Sequence, residues 1–90
     1  MQSSEGAQAP TETVLVRYWA GARAAAGVDA EQVSGISTVG GLLTALAAAH
    51  PPLEPVLPVC SVLVGGLAST GDDPVPAGSV IEILPPFAGG

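Results

Sequence analysis

Few side chains in this sequence combine a type and a spacing suited to chemistry. The 90 residues hold one Cys, one His, two basic and eight acidic residues. Cys60 stands inside an apolar stretch with no histidine near it in sequence. Nothing at hand would lower its pKa into the range of a nucleophile, so a small core side chain is its ordinary role. His50 closes a helical pattern, where an imidazolium meets the helix dipole. No second His or Cys stands at metal-ligand spacing from it, and no metal site is expected. Asp72-Asp73 precedes Pro74 and fits a solvated turn, since the loop lacks the alternating acidic ligands of a calcium site. Gly40-Gly41 opens a helical pattern as a phosphate cradle would, but without the lysine and the spaced glycines that such a cradle uses.

The end of the sequence, PPFAGG, is different. At average glycine usage of about 7%, a terminal Gly-Gly arises by chance roughly once in 200 chains. Gly89 and Gly90 follow the last strand pattern almost directly. Having no Cβ, they suit a chain end that threads a narrow channel in a partner. Pro85 and Pro86 stiffen the exit and hold the tail away from the domain, and Phe87 offers an apolar anchor. The group such a tail delivers is the α-carboxylate of Gly90. A carboxylate is a poor acyl donor until ATP converts it to a mixed anhydride, after which sulfide transfer yields a thiocarboxylate.

The elements that must position this tail fit one small domain. The apolar core falls to twenty-three branched aliphatics: eleven Val, nine Leu and three Ile. Thr13–Ala20 (TVLVRYWA) is the strongest strand pattern, with Val14, Val16 and Tyr18 on one face and Leu15, Arg17 and Trp19 on the other. Gly21–Gly27 reads as a short helical turn ended by Gly27, and Asp29–Ile36 as a weak second strand. Thr38 is a plausible N-cap. Val39, Leu42, Leu43 and Leu46 follow at the spacing of an amphipathic helix that runs to Ala49 and stops at Pro51-Pro52. Leu53–Pro58 is an irregular connection, and Val59–Val64 is a third strand. Gly65-Gly66 is a hairpin signal before Leu67–Ser69. Thr70–Gly78 is a polar loop, and Val80–Leu84 is the final strand. The expected fold class is α+β: a ubiquitin-like β-grasp, with one main helix across one face of a mixed four- to five-stranded sheet. Residues 1–12 read as a disordered lead, 13–84 as the domain and 85–90 as a flexible tail.

Charge excludes other functions. A net charge of −6 leaves almost nothing to neutralise phosphates, so nucleic-acid binding is not expected. No basic cluster serves a membrane surface. Gln32–Leu53 lacks charged residues, yet glycines, serines and prolines interrupt it and its leucines fall on one face, so it does not read as a membrane span. The lead has no basic start of the kind a secretory signal uses. One cysteine makes no internal disulfide, which suits a reducing cytoplasm.

Three segments carry a resemblance: VLVRYWAGARAAAG, TVGGLLTALAAAHP and DDPVPAGSVIEILPPFAGG. Together they resemble the MoaD/ThiS family of ubiquitin-like sulfur carriers, and within it most closely the MoaD branch. The likeness implies a sulfur donor with no active site of its own. Gly90 would be adenylated by a MoeB-like enzyme that uses ATP, converted to a thiocarboxylate with sulfur from a donor, and inserted into a MoaE-like large subunit to make molybdopterin. No cofactor would be bound by the chain itself. Gly89 and Gly90 match the family's terminal pair, and Pro86, Phe87 and Ala88 its tail. Arg23 matches the arginine of its first turn, and all of these would contact partners. Carriers for thiamine or cysteine synthesis and ubiquitin-like protein modifiers share the Gly-Gly end and remain open alternatives.

Overall fold

Side-chain alternation along Thr13–Tyr18 divides the first strand, β1, into two faces. Val14, Val16 and Tyr18 are buried, Leu15 is half-buried and Arg17 is exposed, so only one face is covered. The structure, a computed structural model, describes residues 13–86; the expected lead at 1–12 and residues 87–90 lie outside the described residues.

Strand β2 (Ala30–Ser34) runs antiparallel to β1 at one edge, and β5 (Val80–Leu84) lies parallel to β1 on its other side. Beyond β5 lies β3 (Ser61–Val64), antiparallel to it, and β4 (Leu67–Ala68) completes a five-stranded sheet of order β2-β1-β5-β3-β4. The turn between β3 and β4 has φ of +56° at Gly65 and +86° at Gly66. A two-residue hairpin that matches the twist of its strands needs positive φ at both positions, which glycine adopts without a Cβ clash.

One face of the sheet is covered by helix α2 (Val39–Ala49), which follows the short helix α1 (Ala20–Ala26) in the chain. The Thr38 hydroxyl accepts from the Gly41 N–H at 3.1 Å and caps α2, as its sequence position suggests. Val39, Leu42 and Leu46 are buried from the helix, Val16, Ile81 and Ile83 from the sheet, and Leu53 and Leu57 from the connection between them. This is the mixed β-grasp sheet expected from the sequence.

Element boundaries shift for local reasons. The first strand stops at Tyr18 rather than Ala20, because Ala20 takes φ of +49° and turns the chain into α1. The third begins at Ser61 rather than Val59, since Leu57–Val59 forms a 3-10 turn. The proline-rich connection is built from that turn and a second at Pro51–Leu53. Prolines at the starts of both turns need donate no hydrogen bond there. The polar loop before β5 also carries a core residue, Val75, whose N–H bonds to the Ser37 carbonyl at 2.9 Å. Among the described residues, no helix is long and apolar enough to cross a membrane.

Leu42 is fully buried where α2 meets the sheet. Leu42→Ala is expected to cost about 2–5 kcal/mol, from lost transfer energy and the cavity left behind. That is a large share of the stability of so small a domain. Urea unfolding measures it, and a loss below about 1 kcal/mol would contradict this packing.

Candidate functional site

The root of the tail is held by the middle of the sheet. β5 has neighbours on both sides: Tyr18 pairs with Ile83, and Ser61 with Leu84. The Trp19 N–H donates to the Ile83 carbonyl at 3.2 Å, one residue beyond the end of β1. Pro85 and Pro86 then follow and can donate nothing to a ladder, so the chain leaves the sheet at a defined point. Pro85 is half-buried and Pro86 exposed. Phe87, Ala88, Gly89 and Gly90, expected as the tail's contacts and reactive end, lie outside the described residues.

Arg23, the remaining expected contact residue, projects from α1. Gly27, at φ of +80°, ends that helix and donates its N–H to the Arg23 carbonyl at 2.9 Å. The Arg23 side chain is 57% exposed, with Nε 3.7 Å from Asp29 Oδ1. Arg17 reaches the same place from β1, its guanidinium carbon 5.2 Å from the centre of the Trp19 ring. Sequence reading set Arg17 and Trp19 on one face of a strand. That they share a cleft with Arg23 follows from the sharp turn at Ala20, which no local pattern announces.

The other side chains singled out from the sequence serve the scaffold. His50 is the C-cap of α2, and its Nε2–H donates to Glu31 Oε2 at 2.6 Å. The Tyr18 hydroxyl donates to the same oxygen at 2.5 Å, and the Tyr18 and His50 rings meet edge to face. One carboxylate thus ties the edge strand β2 to β1 and to the end of α2. Cys60 is half-buried beside the core rather than within it, with Sγ 3.3 Å from the Val56 carbonyl. Burial pushes its thiol pKa up, away from nucleophilic character.

The first N–H groups of α2 are occupied: Val39 donates to the Asp73 carbonyl at 3.0 Å and Gly40 to the Gly71 carbonyl at 2.8 Å. With Gly41 bonded to Thr38, no donors remain there for a phosphate. Asp73 Oδ2 accepts from the Thr70 N–H at 2.8 Å, as a turn residue does. Among the described residues no cluster of His, Cys, Asp and Glu could hold a metal.

The sheet order, the covering helix and the terminal glycines beyond a central strand define a ubiquitin-like β-grasp protein. Residues 16–90 match the ThiS family, and the chain belongs to that family of ubiquitin-like sulfur carriers and modifiers. Its members work with adenylating and synthase enzymes.

Among solved structures, the chain is similar to a Pyrococcus furiosus protein provisionally named molybdopterin converting factor subunit 1. The identity is 24% and the TM-score 0.77, over 83% of this chain and 98% of that one, a likeness of fold alone. It is also similar to SAMP1 of Haloferax volcanii, at 28% identity and TM-score 0.76, over 87% of this chain and 99% of that one. Small archaeal modifier protein 1 of Methanosarcina acetivorans matches at 26% identity and TM-score 0.62, over 88% and 97% of the two chains. No curated protein matches the chain closely enough to carry a comparison.

Burial, and then the hydrogen bond and charge of Glu31, push the Tyr18 phenol far above its ordinary pKa. The unfolded chain therefore releases this proton first, near pH 10, while the folded chain retains it. The stabilisation is complete below about pH 10 and is lost as pH rises further, by up to about 1.4 kcal/mol per pH unit. The sequence has no lysine to titrate in the same range. Urea midpoints between pH 9 and 11 should fall in the wild type and fall much less in Tyr18→Phe. Equal slopes would contradict this environment for Tyr18.

Proposed function

We propose that the chain is the small, sulfur-donating subunit of a molybdopterin synthase, and that Gly90 supplies its reactive group. An adenylating enzyme joins the Gly90 carboxylate to AMP and releases pyrophosphate from ATP. Sulfide from a donor then attacks the acyl carbon, displaces AMP and leaves a thiocarboxylate. The tail enters the large subunit, where the thiocarboxylate sulfur bonds to a carbon of the pterin precursor. Water then attacks the acyl carbon, the acyl C–S bond breaks, and Gly90 returns to a carboxylate. The chain itself binds no cofactor and performs no catalysis; ATP belongs to the partner. A MoeB-like activator and a MoaE-like large subunit are the partners of this reading, and the unpartnered cysteine in the sequence supports a cytoplasmic setting.

The observation that supports activation at Gly90 is the family match, which runs through the final Pro-Pro-x-x-Gly-Gly to Gly90 behind β5. The choice of molybdopterin within that family rests on the resemblance of the sequence segments to the MoaD branch. The described side chains also support it, since neither Cys60 nor His50 is arranged to act as a nucleophile or a ligand. A second reading, attachment of Gly90 to lysines of other proteins, is favoured by the likeness to two archaeal proteins named as modifiers. Both readings begin with the same adenylate.

Intact mass after incubation with a purified adenylating enzyme, ATP and sulfide separates them. The carrier reading expects an oxygen-to-sulfur gain on the C-terminal peptide, abolished when one residue is appended after Gly90. A gain unaffected by that extension, or no gain, would overturn it. Conjugates to other proteins without a thiocarboxylate would favour the modifier.

A further inference from the structure

Arg17 and Arg23 are the only Arg or Lys residues in the sequence. The fold brings both to one cleft of about 330 Å³, which Trp19 and Asp29 also line. They come from different elements, β1 and α1, and meet because the chain reverses at Ala20. The cleft lies on β1, the strand next to the one that feeds the tail: its lining comes from β1, α1 and the start of β2, and Trp19 bonds to Ile83 two residues before Pro85.

Neither guanidinium is tied up. Arg17 lies over the Trp19 face, which orients it. Its cross-strand neighbour is Glu82, yet among the described residues Arg17 forms no ion pair. Arg23 has only the 3.7 Å contact to Asp29, between side chains 57% and 85% exposed. A pair so exposed contributes little and exchanges readily for a better partner.

We propose that this cleft receives a carboxylate side chain of the adenylating enzyme and so sets the pose in which the tail enters that enzyme. The inference rests on the reading of Gly90 as the group that is activated. Charge complementarity selects the occupant. The chain carries a net charge of −6, and this cleft gathers both of its Arg residues against one lining carboxylate, Asp29, so it is the place on the chain best suited to an acidic group. The guanidinium fork matches a carboxylate bidentately. Because the cleft lies on β1, which pairs with the strand that feeds the tail, one contact there sets the orientation of the domain and with it the point from which the tail departs.

The test is ATP–pyrophosphate exchange by a purified adenylating enzyme, with carrier concentration varied, for the wild type, the double variant R17Q/R23Q and the charge-keeping R17K/R23K. The glutamine variant should raise KM for the carrier about tenfold or more and move kcat less, a loss of about 1.4 kcal/mol or more of binding. KM for ATP should hold, and the lysine variant should recover part of the loss. Wild-type KM should also climb with salt, and this dependence should flatten in the glutamine variant. An unchanged carrier KM in a folded variant, or a wild-type KM indifferent to salt, overturns the proposal. A rise confined to the KM for ATP overturns it in favour of a phosphate ligand. If the wild type supports no exchange at all, the reading of Gly90 fails first and this proposal falls with it, an outcome distinct from exchange that ignores the arginines.

Discussion

The parallel pairing of β5 with β1 is the constraint on which the rest of the structure depends. Parallel neighbours cannot be joined by a tight turn, so everything between Tyr18 and Val80 serves as crossover, covering helix or flanking strand. The register Val16↔Ile81 and Tyr18↔Ile83 sets four of the buried sheet residues side by side. The same pairing makes the last strand a central one. A chain end leaving a central strand is anchored by hydrogen bonds on both sides, and could fray only if the middle of the domain opened.

That architecture suits a protein with little side-chain chemistry. Its one histidine and one tyrosine are spent on Glu31, where they hold the edge strand and the helix end to the core. Its cysteine is half-buried, and one of its two loop aspartates, Asp73, closes a turn. Recognition is proposed to fall to the two arginines near the tail's root and to the tail itself. On this account the domain is a rigid mount for a main-chain carboxylate, and partners supply the catalysis.

Much of the fold is legible in the sequence. Alternation marks β1 and β5, the spacing from Val39 to Leu46 with Thr38 ahead marks α2, and Gly65-Gly66 marks the hairpin. These signals are local, carried by side-chain period, capping and φ. The features that escaped it are long-range or run against propensity. Glu31 and His50 are nineteen residues apart, and nothing local links them. Ala20 adopts φ of +49°, a conformation alanine seldom takes, so the turn that unites the arginines is silent in sequence. Prolines read as breakers, although here they start 3-10 turns that deliver Leu53 and Leu57 to the core. Val75 hides in a polar loop because the loop docks on the start of α2 through backbone bonds. The tail was legible because its signal is composition at a position, and needs no contact to be seen.

The central claim is that transferred sulfur rides on the main chain at Gly90 and not on a side chain. Labelling with radioactive sulfide, in the presence of an adenylating enzyme and ATP, tests it most directly when the wild type is compared with Cys60→Ser and with a chain lacking Gly90. The account expects full label in Cys60→Ser and none without Gly90. Label that survives removal of Gly90, or vanishes with Cys60, would contradict it.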